Sequence, residues 1–218
     1  MEYTEHLGSY SQKSGKNTRY RIGIMGGTFN PVHNGHIYMA QKAYEEFGLD
    51  SVLFIPVGNP PHKSDEEVAG KEHRFAMLEL ALQDYPELGI SRVELDRAGC
   101  TYTIDTLNLL HRSIEDAVFY FIIGADTLLE LNTWKNFNDV IKLTEFICFL
   151  RPGSDSQTVM QYISAIYDTY KKEILVAKSE GINVSSRMIR EKLSQGKPVS
   201  GLLNEKVEKY IRENGVYR

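Results

Sequence analysis

Two histidines three positions apart, His33 and His36, flank Gly35 a few residues after the turn Gly26-Gly27-Thr28-Phe29. An imidazole titrates near neutral pH, so beside a polyphosphate it can carry a proton that offsets charge developing on phosphorus. Positions three apart share one face of a helix, and at a helix start that face is directed back toward the preceding turn. Paired glycines let the backbone approach a ligand with no Cβ in the way, and the exposed amides of a turn and a helix start offer donors to an anion. Gly35 leaves room for a flat group such as a nucleoside. A lone histidine at a helix start reads most simply as a surface residue; His-x-Gly-His after Gly-Gly-Thr-Phe reads as a phosphate site.

The elements around this stretch place it at the edge of a sheet. The apolar run Ile22, Ile24, Met25 predicts a strand over about 20–25, and Ile37, Ala40 and Tyr44 predict a helix over about 35–47 that Gly48 ends. Strand, tight turn and helix N-terminus form the unit that binds phosphate in open α/β sheets. Gly23 to Gly27 does not fit G-x-G-x-x-G, and Gly15-Lys16 lacks both the first glycine and the hydroxyl of a P-loop. Two histidines without a third ligand make a poor zinc site.

Further strands are predicted at 51–56 (SVLFIP), near 90–95, at 117–123 (AVFYFII), at 145–150 (EFICFL) and at 174–177, with helices over 71–83, 156–173 and the C-terminal tail. The alternation predicts an α/β protein: a Rossmann-like open parallel sheet with helices on both faces. Residues 20–218 read as a single domain behind a flexible, polar N-terminal extension, residues 1–19. Chemistry-bearing side chains then recur at predicted strand ends. Lys63 follows a proline-stiffened loop, with contact to a ligand and solvation equally open. His73 and Arg74, in the first turn of a helix, could look toward the site, though a solvated helix start is the simpler reading. Thr101, Tyr102 and Thr103 open a helix, where capping is the simpler reading. Asp126 after Gly124 could hold a ribose hydroxyl, help order a metal's water shell or cap a helix; Trp134 could stack on a ring or pack in the core. Ser185 and Ser186, with Arg187 and Arg190 in the next turns, could form a second anion site.

Composition bounds the partners. A chain of 218 residues, 42% hydrophobic and 25% charged, can bury a substantial core. A net charge of -4 gives no general draw toward nucleic acid, so any polyanion must meet a local site. No apolar stretch reaches the ~20 residues of a membrane span. Two unpaired cysteines and no signal-like leader fit a cytoplasmic protein. A homo-oligomer is neither indicated nor excluded.

Gly26-Gly27-Thr28-Phe29 with His33-x-Gly35-His36 resembles the signature of the nucleotidylyltransferase superfamily. Pro60-Pro61-His62-Lys63, Asp96-Arg97 with Thr101-Tyr102-Thr103, Gly124-Ala125-Asp126, Trp134-Lys135, Arg151-Pro152-Gly153 and Ser185-Ser186-x-x-Ile189-Arg190 resemble the bacterial nicotinate-nucleotide adenylyltransferases, from about residue 21 onward. The resemblance implies transfer of AMP from ATP, with Mg²⁺, to nicotinate mononucleotide, giving deamido-NAD and pyrophosphate. It implies His33, His36 and Arg190 as catalytic residues, and Gly26, Gly27, Thr28, Phe29, Gly35, Gly124, Asp126, Ser185 and Ser186 on ATP. It implies Lys63, Thr101, Tyr102, Thr103, Trp134 and Arg151 around the acceptor nucleotide. Asn30 stands where the family usually has Asp, and Arg187 where it usually has Thr. An adenylyltransferase with another acceptor, such as phosphopantetheine, and a non-catalytic nucleotide sensor remain as alternatives.

Overall fold

Six short runs of β-branched and aromatic residues become strands because each is flanked by turn formers and can be buried on both faces. In the computed structural model, which describes residues 19–58 and 68–217, they are β1 (Tyr20–Gly27), β2 (Ser51–Pro56), β3 (Leu88–Ile90), β4 (Ala117–Gly124), β5 (Glu145–Phe149) and β6 (Ile174–Val176). Every neighbouring pair is parallel, and the order across the sheet is β3-β2-β1-β4-β5-β6. The N-terminal extension through residue 18 and the loop carrying Lys63 lie outside the described residues.

Side chains alternate across the sheet and so feed two cores. Along β4, Tyr120 and Ile122 face a layer made by α1 (Asn34–Phe47), α2 (Lys71–Leu82), α7 (Ser186–Ser194) and α8 (Glu205–Asn214). Phe119, Phe121 and Ile123 face the opposite layer of α3 (Thr103–Ser113), α4 (Ala125–Leu129), α5 (Phe137–Leu143) and α6 (Ser156–Tyr170). The predicted doubly covered sheet is therefore present. The connections after β1 and β2 run on one face and the connection into β4 on the other, so the order reverses between β1 and β4. Open α/β sheets bind ligands in the crevice at such a switch, at the strands' carboxyl ends.

Local chemistry sets the helix limits. Gly48 stops α1 in the left-handed region at φ 56°, with its N–H on the Tyr44 carbonyl. Asp155 accepts from the N–H groups of Gln157 and Thr158 to start α6, and Ser185 accepts from the Met188 N–H to start α7. One strand differs from expectation. β3 ends at Ile90, where the 90–95 run was expected to begin it. Beyond Ile90 the chain turns back on itself, with the Asp96 N–H on the Arg92 carbonyl, and Val93 and Leu95 are buried without a ladder. Burial of alternate residues does not require strand pairing. Among the described residues, no helix is long and apolar enough to cross a membrane.

Candidate active site

β1 delivers Gly26 and Gly27 to the switch point, and the chain turns through Thr28–Pro31 into α1. Phe29 takes the turn at φ 50°, a left-handed conformation unusual for a bulky residue, and its ring is buried beneath His36. His33 is the N-cap of α1, and its backbone N–H donates to His36 Nδ1 at 3.2 Å. That bond fixes the tautomer: with Nδ1 accepting, the proton of a neutral His36 lies on Nε2, which is left as a donor. The two imidazoles stack with centroids 3.6 Å apart and planes inclined by 17°.

Burial dominates their titration. It pushes the His33 pKa down to about 4, with the Arg151 charge acting in the same direction. His36 lies well below its ordinary value, through burial first and then His33 and Arg151. In the free protein at neutral pH, both rings are uncharged, in contrast to the near-neutral titration expected from the sequence. His33 Nδ1 is buried with no hydrogen-bond partner among the described residues.

An open cleft of about 330 Å³ separates this pair from β4. Gly26, Gly27, Thr28, His33, Gly35 and His36 form one wall; Gly124, Thr127, Trp134 and Arg151 form the other; Glu94, Thr101 and Thr103 close one end. The glycines are needed for packing as well as for access. A Cβ on Gly35 would sit 2.7 Å from Val184 Cγ1, and one on Gly26 would sit 2.9 Å from Phe121 Cζ.

Several expected residues stand just behind the lining. Phe29 underlies the turn. Ser185 caps α7, while Ser186 Oγ donates to the Pro31 carbonyl at 2.8 Å and Arg190 to the Asn30 carbonyl at 2.8 Å. Both thus grip the turn itself. Asp126 does not cap α4, a place taken by Gly124; its exposed carboxylate pairs with Arg151 at 3.1 Å. Tyr102 lies under the Lys135 ammonium, 3.9 Å from the ring centroid. Trp134 packs edge-on against Phe121 and Phe146, as the core reading expects, and also lines the cleft. Arg187 turns to solvent and pairs with Glu191.

Two residues escaped the sequence reading. Glu94 lies buried at the cleft's end, accepting from Thr101 Oγ1 at 2.9 Å and Thr106 Oγ1 at 2.7 Å. Burial raises its pKa, while the two hydroxyls and the Arg97 charge pull it back down. The threonine at position 101 therefore serves a carboxylate, and α3 begins at Tyr102 with no side-chain cap, contrary to the capping reading. Arg74, expected in solvent, is only 2% exposed and bonds three backbone carbonyls. His73 Nδ1 lies 2.9 Å from the Tyr210 hydroxyl, part-buried. No cluster of three or more His, Cys, Asp or Glu suited to a metal occurs among the described residues.

A parallel sheet with a histidine-bearing phosphate turn at its switch point is the layout of a nucleotidyl-transferring enzyme. The profile of the cytidylyltransferase-like family matches residues 24–192, and the chain belongs to that family. Proteins named "probable nicotinate-nucleotide adenylyltransferase" align with it at 40% identity over 91% of this chain and 94% of theirs in Thermoanaerobacter sp. strain X514, and at 42% over 91% of both in Halalkalibacterium halodurans. Within the family, the chain belongs with the nicotinate-nucleotide adenylyltransferases. The Plasmodium falciparum nicotinic acid mononucleotide adenylyltransferase complexed with NaAD shares the fold, with a TM-score of 0.75 at 16% identity over 91% of this chain and 97% of that one.

Proposed function

We propose that this protein transfers AMP from ATP to nicotinate mononucleotide, releasing pyrophosphate and forming deamido-NAD in the cytoplasm. Membership of the adenylyltransferase family supports the reaction class. The observation that carries the site assignment is the stacked His33–His36 pair at the start of α1, with an unpartnered buried Nδ1 and a fixed Nε2 donor bordering the cleft. In an in-line transfer, a phosphate oxygen of the acceptor bonds the α-phosphorus while the bond to the bridging oxygen of pyrophosphate breaks. No protein nucleophile is needed, because such reactions depend on alignment and charge neutralisation.

The roles divide by wall. ATP lies along the β1–α1 turn, its phosphates facing His33, His36 and the start of α1, with Arg190 and Ser186 holding that turn from behind. Asp126 lies at the ribose side of the ATP and Arg151 between the nucleotides. The acceptor's ring stacks against Trp134, with Thr101, Tyr102 and Thr103 at its edge. Lys63 belongs to the acceptor side by family resemblance. Among the described residues no group of three or more His, Cys, Asp or Glu could hold a metal, and the Asp126 carboxylate is engaged by Arg151. This fits Mg²⁺ entering as part of the MgATP substrate, held through phosphate oxygens and water and supplying charge neutralisation.

The test is pyrophosphate release from MgATP with nicotinate mononucleotide, nicotinamide mononucleotide and phosphopantetheine in parallel. Strong preference for the first supports the proposal. Release with phosphopantetheine alone overturns the acceptor assignment, and ATP binding without release in any arm indicates a sensor.

A further inference from the structure

The Thr28–Pro31 turn is held from behind at the Thr28, Asn30 and Pro31 carbonyls. Arg74 reaches from α2 with all three guanidinium nitrogens engaged: NH1 donates to the Thr28 carbonyl at 2.9 Å, NH2 to the Gly58 carbonyl at 3.1 Å and Nε to the Ala69 carbonyl at 3.1 Å. It therefore ties the loop after β1 to the loop after β2. Tyr217, near the chain's C-terminus, donates its hydroxyl to Asn30 Oδ1 at 2.7 Å, and the Ala69 N–H donates to the same oxygen at 3.0 Å. Arg190 and Ser186 take the Asn30 and Pro31 carbonyls. Asn30 is 1% exposed, so these contacts are shielded from water.

In a trans peptide the N–H points opposite to the C=O. Pinning the Thr28 and Pro31 carbonyls therefore turns the N–H groups of Phe29 and Val32 away from the bracket. The Phe29 N–H has no hydrogen-bond partner among the described residues, while Asn30 and Pro31 form a turn that closes from the Phe29 carbonyl toward the Val32 N–H. Buried backbone donors in native proteins nearly always find a partner, and a free N–H in a turn is suited to an anion.

We infer that Arg74 and Tyr217 are positioning residues for ATP: they lock the turn so that its free N–H meets the phosphates. The inference rests on the functional reading above. A fork matters here more than a charge, because a lysine ammonium cannot span three carbonyls on three segments.

Isothermal calorimetry of MgATP binding without acceptor, on Arg74→Lys and Tyr217→Phe, with thermal melting and steady-state kinetics alongside, tests it. Arg74→Lys should weaken ATP binding by about tenfold or more, as misplacement of a binding group by a fraction of an ångström does, and Tyr217→Phe by roughly threefold. The KM for the acceptor should stay within about twofold in Tyr217→Phe, whose contact is to the loop after β1 alone. ATP affinity unchanged in both variants overturns the inference, as does a parallel loss for ATP and acceptor that follows the fall in melting temperature. Should Arg74→Lys fail to fold, Tyr217→Phe, which removes one oxygen atom, decides by the same criterion. Wild-type ATP binding with no transfer to any acceptor would sink the proposed reaction, while the affinity comparison would still decide the bracket.

Discussion

Acidification probes the histidine pair directly. The His33 pKa is about 4 in the folded protein against 6.5 for an ordinary histidine. Because the folded value is the lower one, the unfolded chain takes up a proton that the folded protein refuses. Stability is thus intact above pH 6.5 and is lost as the pH falls toward 4. Integrating the linkage from pH 7.5 to about pH 5 gives a loss of roughly 2 kcal/mol from this residue alone. Urea titrations of wild type and His33→Gln at both pH values measure it, since the carboxylates that also titrate are common to the two proteins and cancel in the difference. The variant should lose about 2 kcal/mol less than wild type on acidification. Equal losses would refute the argument that His33 is held neutral by burial. The same quantity governs ligand binding. At neutral pH, protonating His33 costs about 4 kcal/mol. One phosphate charge at ~4 Å returns a similar amount at an effective dielectric of about 20, and a triphosphate brings several such charges. ATP binding should therefore draw close to one proton per site from solution. Calorimetry at neutral pH in two buffers of different ionisation enthalpy reads that uptake, and its absence would mean that the pair acts as neutral donors.

His36→Ala removes the Nε2 donor and the acceptor of the His33 N–H; turnover at saturating ATP should fall by about 100-fold or more, in the range of a lost oxyanion donor, and near-normal pyrophosphate release from folded protein would exclude the role. Gly58→Ala puts a Cβ 2.2 Å from the Glu94 carbonyl oxygen, a backbone atom that cannot move aside alone. It should destabilise the protein by about 3 kcal/mol, at the upper end of ordinary overpacking, as measured by urea unfolding, and a shift of only a few tenths would show that the two segments move apart freely. Arg187→Ala, at a side chain 83% exposed and paired only with Glu191, should leave the ATP KM unchanged and melting nearly so. A large rise in that KM would bring Arg187 into the phosphate site.

How much of this was legible in the sequence depended on how local each signal is. β2 was read to the residue because SVLFIP is buried throughout and bounded by turn formers. The Gly-Gly-Thr-Phe and His-x-Gly-His segments were legible because turn, cap and helix start are consecutive. Thr101 was singled out as a donor and Trp134 as a ring, each with a structural alternative, and Arg151 by family resemblance; only the fold brings them to one cleft. Arg74 was illegible for a specific reason. A helix's first turn is polar by default, and nothing near position 74 announces that the carbonyls of Thr28, Gly58 and Ala69 will converge on it. Glu94 was hidden in the same way: its partners Thr101 and Thr106 lie further along the chain, and only the fold brings their hydroxyls to its carboxylate.

The two ends of the cleft differ electrostatically, and Arg151 lies between them. At the phosphate end, the arginines behind the turn are committed to backbone carbonyls, and the histidines are neutral until an anion arrives. At the other end, Glu94 consumes the hydroxyl protons of Thr101 and Thr106, leaving a buried acid that disfavours a second negative charge beside it. Under the proposed assignment, this contrast favours the triphosphate at the glycine turn. Arg151 lowers the pKa of both histidines while pairing with the exposed Asp126. Drawing the guanidinium toward an incoming nucleotide, away from the stacked rings, would ease protonation of the pair when phosphate charge is present to use it.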